Sequence, residues 1–160
     1  MPQVAILMGS DSDMPIVEKS VEMLEKFGVT YKVNIMSAHR TPDLVREYVG
    51  KAPSQGVQVF ICAAGLAAHL AGVVAAHTTK PVIGLPVDGL MHGLDALLST
   101  VQMPGGIPVA TVAVGKAGAK NAGILAVQML ALSDNDLAKK LVDFKVEMAD
   151  LVKAKNDALA

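Results

Sequence analysis

The sequence is poor in charge and in cysteine. Charged residues make up 18% of its 160 residues, against about 25% in an ordinary soluble domain. The net charge of −1 provides no basic surface for nucleic acid or an anionic membrane. The single cysteine excludes a disulfide framework and is typical of a reducing compartment. The hydrophobic content of 52% in turn excludes a disordered chain.

The scarcity of charge is concentrated in the middle of the chain. Residues 57–132 carry only five charged side chains, whereas residues 1–56 carry 13 and residues 133–160 carry 11. Such a stretch either enters a membrane or is buried twice, in its own core and against other subunits. The longest uncharged apolar run, 59–76, contains two glycines and lacks flanking cationic or aromatic belts. We therefore expect a cytoplasmic, self-associating protein, and the acidic start of the chain argues against a signal peptide.

Short apolar runs alternate with helical patterns along the chain. The expected strands are Val4–Met8, 30–36, 57–63, 81–87 and 108–114. The expected helices are Met14–Phe27, 41–51, 66–76, 93–102, 117–132 and 134–156, the last one capped by Ser133. This alternation predicts a three-layer α/β/α sandwich with a central parallel sheet, flavodoxin-like or Rossmann-like, as one domain over residues 1–160 with a C-terminal helix.

Ligands of such sheets bind beyond the carboxyl ends of the strands, so the residues that follow each strand are the candidates. Gly9 and the Ser/Asp-rich run 10–13 follow the first strand. Glycine lets the backbone approach a ligand, a helix N-terminus favours an anion, and a carboxylate can accept hydrogen bonds from sugar hydroxyls. The same residues could instead serve only to cap the helix. The run matches neither a dinucleotide-binding nor a P-loop motif.

The second strand is followed by His39 and Arg40. Arginine is rare in this chain, and its guanidinium fork suits a phosphate bidentately. A histidine beside it can exchange a proton near neutral pH. The alternative is an exposed His-Arg pair with no function.

The third strand leads into a run of small residues in which His69 is the only polar side chain. Small residues expose backbone amides to a compact ligand, although a lone histidine on an apolar helix can also be a core or interface residue. The four histidines show no short ligand spacing and Cys62 lies within a strand, so we expect no metal site. Of the remaining loops, 89–93 is expected to be mobile and 102–108 to be rigid.

Four motifs in collinear order, over about residues 3–132, resemble one enzyme family. They are MGSDSD, SAHRTPD, GLAAHLAG and GLDALLSTVQMPGGIPVATVAVGKAGAKNAGILA. The family is the bacterial N5-carboxyaminoimidazole ribonucleotide mutases of purine biosynthesis. The resemblance implies a homo-octamer with active sites at subunit junctions. It also implies a rearrangement without metal, ATP or other cofactor that moves a carboxylate of the small-molecule substrate from N5 to C4 of the aminoimidazole.

The resemblance also implies site residues. His39 matches the catalytic histidine, and His69 matches a histidine that lines the pocket for the base and carboxylate, which we expect to be catalytic as well. Ser10, Asp13 and Arg40 match substrate-binding positions. The remaining positions expected to contact substrate are Ser37, Ala38, Gly65, Ala67 and Leu70.

The third loop departs from the family pattern A-G-A-G-G-A-A-H-L-P-G. Ala63, Leu66 and Ala71 stand where the family has Gly, Gly and Pro. Leu66 places a side chain where bare backbone would face the migrating CO₂. The animal-type enzymes, which carboxylate the unsubstituted ribonucleotide directly, have a Lys after the His of the second loop and lack the His-Leu of the third. This chain has Arg40 and His69, so it resembles the mutases.

Three other functions are compatible with parts of this pattern. One is a direct CO₂-dependent carboxylase of aminoimidazole ribonucleotide. Another is a related carboxylase that acts on a different mononucleotide, such as a pyridinium nucleotide. The third is a nucleotide-binding or receiver module without catalysis, although a receiver would need an acidic pair after the first strand and a lone Asp after the third.

Overall fold

Five parallel strands form one sheet in the order β2-β1-β3-β4-β5. The structure, a computed structural model, describes residues 1–159. This strand order is that of flavodoxin-like folds and confirms the predicted class. The strands are Val4–Met8 (β1), Tyr31–Ile35 (β2), Val59–Ala64 (β3), Val82–Pro86 (β4) and Ala110–Thr111 (β5).

Helices cover both faces of the sheet and complete the three layers. The α-helices are Met14–Phe27 (α1), Pro42–Lys51 (α2), Leu70–Ala76 (α3), Leu94–Val101 (α4), Gly115–Ala131 (α5) and Asn135–Asp157 (α6). Helices α1, α5 and α6 contribute to one hydrophobic cluster, and α2 and α3 contribute to the other. Helix α4 packs on β4 and β5 on the same side as α3, where the side chain of Thr100 fills the space beside Gly84.

The alternation of side chains along β1 explains why this strand is apolar throughout. Val4, Ile6 and Met8 enter the cluster with α1 and α5, whereas Ala5 and Leu7 enter the cluster with α2 and α3. All five are at most 2% exposed. A central parallel strand is covered on both faces, so a continuous apolar run is expected of it.

The alanine- and glycine-rich composition of α5 follows from its close contact with α1. A Cβ on Gly123 would lie only 2.8 Å from the carbonyl oxygen of Ser20. The buried hydroxyl of Ser20 in turn donates to the carbonyl of Ala119 at 2.7 Å. Much of the charge-poor stretch is therefore buried in the subunit's own core.

The largest differences from the predicted helix starts are at α3 and at α5, which begins at Gly115 and not at residue 117, and the N-cap of α6 also differs. Helix α3 begins at Leu70 and not at residue 66, because Leu66 has a left-handed backbone with φ +55° that no α-helix can include. The N-cap of α6 is Asp134 and not Ser133, since its carboxylate accepts from two amides of the first turn, those of Asp136 and Leu137.

Strand β5 is much shorter than the predicted 108–114. It forms ladder pairs only from Ala110 and Thr111, at the edge of the sheet. Pro108 has no amide hydrogen to donate, so the strand cannot extend through it as a regular ladder. The apolar run 59–76 proves to be β3, a loop and α3, and no helix within residues 1–159 is long and apolar enough to cross a membrane.

Candidate active site

A cleft of about 630 Å³ lies at the carboxyl ends of β1 to β4. Its position is where the chain reverses direction across the sheet, with β2 on one side of β1 and β3 on the other. Open α/β sheets bind ligands at this switch point. All the site residues expected from the sequence line the cleft: Ser10, Asp13, Ser37, Ala38, His39, Arg40, Gly65, Ala67, His69 and Leu70.

The loop after β1 forms a short helical turn held by serine hydroxyls. The Ser10 Oγ accepts from the amide of Ser12 at 3.3 Å and from the Ser12 hydroxyl at 2.9 Å. Asp13 stands at the N-cap position of α1, but its carboxylate makes no capping hydrogen bond to that helix. A capping role therefore does not account for this carboxylate.

Asp13 is only 9% exposed. Burial raises the pKa of this group from its ordinary value of 3.8, and nearby Asp11 adds to the rise. The Ser10 backbone and the Ser12 side chain act on this pKa in the opposite direction, without cancelling the effect of burial. A desolvated carboxylate at the wall of a cleft is well suited to accept hydrogen bonds from a bound ligand.

A compact turn after β2 positions His39 and Arg40. The Thr41 hydroxyl accepts from the Ser37 amide at 2.9 Å and donates to the Ser37 carbonyl at 3.0 Å. The Ser37 hydroxyl accepts from the Arg40 amide at 3.1 Å. Thr41 uses its hydroxyl inside this turn and does not cap α2, although it stands at the N-cap position of that helix.

The Arg40 guanidinium connects two loops of the cleft. Its Nη2 donates to the carbonyl of Gly9 at 2.6 Å. The side chain is otherwise exposed at the cleft wall. The rest of the guanidinium fork is thus available to an anionic group such as a phosphate.

The two histidines of the cleft contact each other directly. Nε2 of His39 lies 2.8 Å from Nδ1 of His69, and the rings meet edge to face with their centroids 4.8 Å apart. A neutral imidazole has one donor and one acceptor nitrogen, so a single hydrogen atom lies between these two nitrogens. The pair joins the loop after β2 to the loop after β3. His69 is therefore an exposed cleft residue and not a core histidine.

The loop after β3 is tight and conformationally unusual. The Leu66 carbonyl accepts from the Ala68 amide, and the Ala67 carbonyl accepts from the His69 amide, both at 2.9 Å. Leu66 has φ +55°, a region that costs a non-glycine residue about 1–2 kcal/mol. Leu66 is nevertheless 54% exposed and lines the cleft.

Sequence reasoning did not single out every residue of the cleft. Ala64, Val87, Asp88 and Gly89 also line it. Asp88 directly follows the predicted strand 81–87, so the rule that selected the first three loops would have found it. The neighbouring residues Met91 and His92 both have left-handed backbones.

A larger cavity, of about 920 Å³, lies at the opposite end of the sheet. His77 and Lys80 line it, together with Gly106 to Pro108 from the glycine- and proline-rich loop. It contains neither member of the histidine pair. Within residues 1–159, no group of three or more His, Cys, Asp or Glu side chains is placed to bind a metal ion.

Comparison with known proteins finds close relatives over nearly the whole chain. Residues 3–151 match the family described as AIR carboxylase. The N5-carboxyaminoimidazole ribonucleotide mutase of Methanocaldococcus jannaschii is 53% identical, over 96% of this chain and 95% of that protein. The enzyme of the same name from Bacillus subtilis is 48% identical, over 99% and 98%.

A solved structure has the same fold. The crystal structure of PurE from Treponema denticola superposes with a TM-score of 0.90 and 29% sequence identity, and the match covers 99% of each chain.

The raised pKa of Asp13 predicts a pH-dependent effect on stability. Because folding raises this pKa, the folded state holds the proton more tightly than the unfolded state does. The stability that the protonated group contributes is complete below pH 3.8 and is lost as the pH rises through the folded-state value. We therefore expect Asp13→Asn to raise the melting temperature relative to wild type at pH 7, with the difference shrinking towards pH 3.5. Differential scanning fluorimetry across this range measures it, and a difference independent of pH would contradict the prediction.

Proposed function

Because this chain belongs to the AIR carboxylase family, we propose that it converts N5-carboxyaminoimidazole ribonucleotide (N5-CAIR) into the 4-carboxylate isomer (CAIR) in purine biosynthesis. The observation that supports this reaction best is the His39–His69 hydrogen bond beside Arg40 in the switch-point cleft. The cleft offers one group for an anion and a pair of rings for proton transfer. A carboxylate shift within a phosphorylated ribonucleotide needs both.

Binding fixes the substrate at its two polar ends. Arg40 holds the phosphate with the part of its guanidinium that faces the cleft, and Asp13 accepts from the ribose hydroxyls. The aminoimidazole then extends towards the histidine pair, between the small residues Ala38 and Gly65. Two anchored ends hold the ring in one orientation, which makes recombination within the site faster than escape.

The first chemical step is a proton transfer from His39 to N5. Protonation turns the carbamate nitrogen into an amine leaving group, the N5–carboxylate bond breaks, and its electron pair remains on nitrogen. The products in the cleft are CO₂ and aminoimidazole ribonucleotide (AIR). Histidine suits this role because its side chain exchanges protons near neutral pH.

The second step reverses the proton's direction. C4 of the electron-rich imidazole attacks CO₂, a carbon–carbon bond forms, and the proton on C4 returns to the His39 imidazole. One proton is delivered and one is recovered, so the enzyme ends in its starting state. His69 orients the His39 ring through the 2.8 Å hydrogen bond, so that the free edge of His39 faces the substrate.

We further propose that residues 1–160 form one mutase domain, located in the cytoplasm, and that the chain assembles as a homo-octamer. Support for assembly comes from α4, where Leu94, Leu98 and Val101 are exposed at the spacing of one helix face. Leu90 and Met91, which precede α4 in the chain, are exposed as well. Exposed apolar patches of this kind are typical of subunit interfaces.

The proposed assembly is tested by measuring the molecular mass of the protein in solution. We expect light scattering at micromolar concentration to report about eight chains for the wild type. Leu98→Asp places a charge in the α4 surface and should shift the mass to smaller species. Leu132→Asp serves as the control, because Leu132 is exposed at the end of α5 and lies outside this surface. A wild-type monomer would contradict the proposed assembly.

The reaction is tested by supplying two alternative substrates. With N5-CAIR at low bicarbonate, we expect the purified protein to form CAIR without ATP. With AIR and added bicarbonate at the same concentrations, we expect little CAIR. Product only from AIR and bicarbonate would identify a direct carboxylase instead, and conversion of a pyridinium nucleotide alone would identify a related enzyme. Tight mononucleotide binding without turnover would indicate a binding module.

Loss of the His39 imidazole should remove proton transfer but not binding. We expect His39→Asn to lower kcat by about 10²–10⁴-fold, the usual contribution of a positioned acid–base group, with little change in ligand affinity. His77→Asn is the matched control, because His77 is an exposed histidine of the opposite cavity. Steady-state kinetics and calorimetric binding separate the two effects. Substantial turnover by His39→Asn would refute the acid–base role.

A further inference from the structure

The hydrogen bond between the two histidines decides which ring nitrogens are free to react. It joins Nε2 of His39 to Nδ1 of His69, and within residues 1–159 neither ring makes a second hydrogen bond. The free nitrogens of the pair are therefore Nδ1 of His39 and Nε2 of His69. If His39 exchanges a proton with the substrate, Nδ1 is the atom that does so.

Both rings are carried by well-fixed backbone. His39 lies in the turn that the Thr41 hydroxyl closes by two hydrogen bonds. His69 stands at the N-cap position of α3, between the buried residues Ala68 and Leu70. The contact between the two rings is therefore part of the folded protein and does not have to form when a ligand binds.

A count of hydrogen atoms defines the state of each ring. A neutral His39 whose Nδ1 is free to accept a proton carries its hydrogen on Nε2. That hydrogen lies between the rings, and Nδ1 of His69 accepts it. His69 then carries its own hydrogen on Nε2. When Nδ1 of His39 takes up a proton, the pair holds three hydrogens and one positive charge.

The surroundings of the pair favour a positive charge on His69 over one on His39. Arg40 follows His39 directly in the chain and lines the same cleft, and a like charge disfavours a second cation beside it. Asp13 and Asp88 are the carboxylates that line the cleft, and in the described part of the chain neither is hydrogen-bonded to an imidazole. The partner that is hydrogen-bonded to His39 and able to take up its charge is His69.

We propose that His69 is a positioning residue that also shares the proton charge of His39, through the hydrogen between their rings. This inference rests on the proposed mutase function. When C4 releases its proton to Nδ1 of His39, the shared hydrogen moves from Nε2 of His39 to Nδ1 of His69. The electron pair of the broken N–H bond stays on His39, which ends neutral, and His69 becomes the cation. Proton donation to N5 in the first step uses the same transfer in reverse.

Substitutions of His69 separate the contact from the sharing of charge. An asparagine amide reaches about as far as Nδ1, so His69→Asn keeps an acceptor for His39 that takes no proton. A glutamine amide extends to the position of Nε2, so His69→Gln leaves Nε2 of His39 without its partner, as His69→Ala does. His77→Asn is the matched control, because His77 is an exposed histidine of the opposite cavity.

Each protein is assayed for kcat with N5-CAIR, for affinity towards AIR by calorimetry, and for folding by thermal unfolding. We expect His69→Gln and His69→Ala to lower kcat by about 10²-fold, at the lower end of what a positioned acid–base group contributes. His69→Asn should recover about tenfold of that loss, as one hydrogen bond to a charged group would, but should stay below wild type. Affinity for AIR should change little, and His77→Asn should behave as wild type.

The placement of the hydrogens is tested by ¹⁵N NMR of histidine-labelled protein, with the single histidine variants used to assign the resonances. At alkaline pH, where both rings are neutral, we expect His39 to be protonated on Nε2 and unprotonated on Nδ1. His69 should be protonated on Nε2 as well, because its Nδ1 is the acceptor.

Three outcomes would overturn the inference. Wild-type kcat in His69→Asn would mean that the contact only orients the ring, and His69→Gln at least as active as His69→Asn would mean that contact at Nδ1 has no part. A neutral His39 protonated on Nδ1 would reverse the direction of the hydrogen bond. Failure of the proposed function is distinct from all three, because wild type itself would then form no CAIR from N5-CAIR.

Discussion

The parallel register on either side of β1 is the constraint on which the site depends. Met8, the last residue of β1, pairs with Ile35 of β2 on one side and with Ala63 of β3 on the other. Three strands therefore end at nearly the same height, and the loops that follow them meet over one edge of the sheet. The contact between His39 and His69 is possible only because of this alignment, since 30 residues separate them in the chain. A shift of either neighbouring strand by one residue would reverse its side chains and separate the two rings.

The sequence predicted the fold well where one local pattern dominated. Strand β1 and helix α1 have the predicted bounds because a buried strand and an amphipathic helix ending at Gly28 leave clear patterns. The predicted start of α3 was wrong because an alanine-rich run is compatible with a helix. Only the tertiary structure holds Leu66 in a left-handed conformation. The length of β5 was overestimated because a run of apolar residues does not show how many of them pair with a neighbouring strand.

The site was predictable to the level of its loops but not of its contacts. The rule that ligands bind beyond strand ends, together with the motif resemblance, selected ten residues that all line the cleft. The hydrogen bond between the histidines had no counterpart in the sequence, because it depends on side-chain directions set by two separate turns. The shortage of charge also had two causes that composition cannot separate: α5 is packed within its own subunit, whereas α4 presents an exposed apolar surface.

The hydrogen bond from Arg40 to the Gly9 carbonyl has a consequence for ligand binding. A free arginine side chain samples many rotamers, and ordering such a chain on binding costs about 0.5–1.5 kcal/mol. Here the guanidinium is already held by the backbone of another strand's loop, so most of that entropy is lost when the protein folds and not when the ligand arrives. The proposed anion site is thus preorganised. If Arg40 binds the phosphate as proposed, its affinity depends on the folding of the sheet edge, and a change that loosens the β1 loop is expected to weaken phosphate binding without touching a ligand contact.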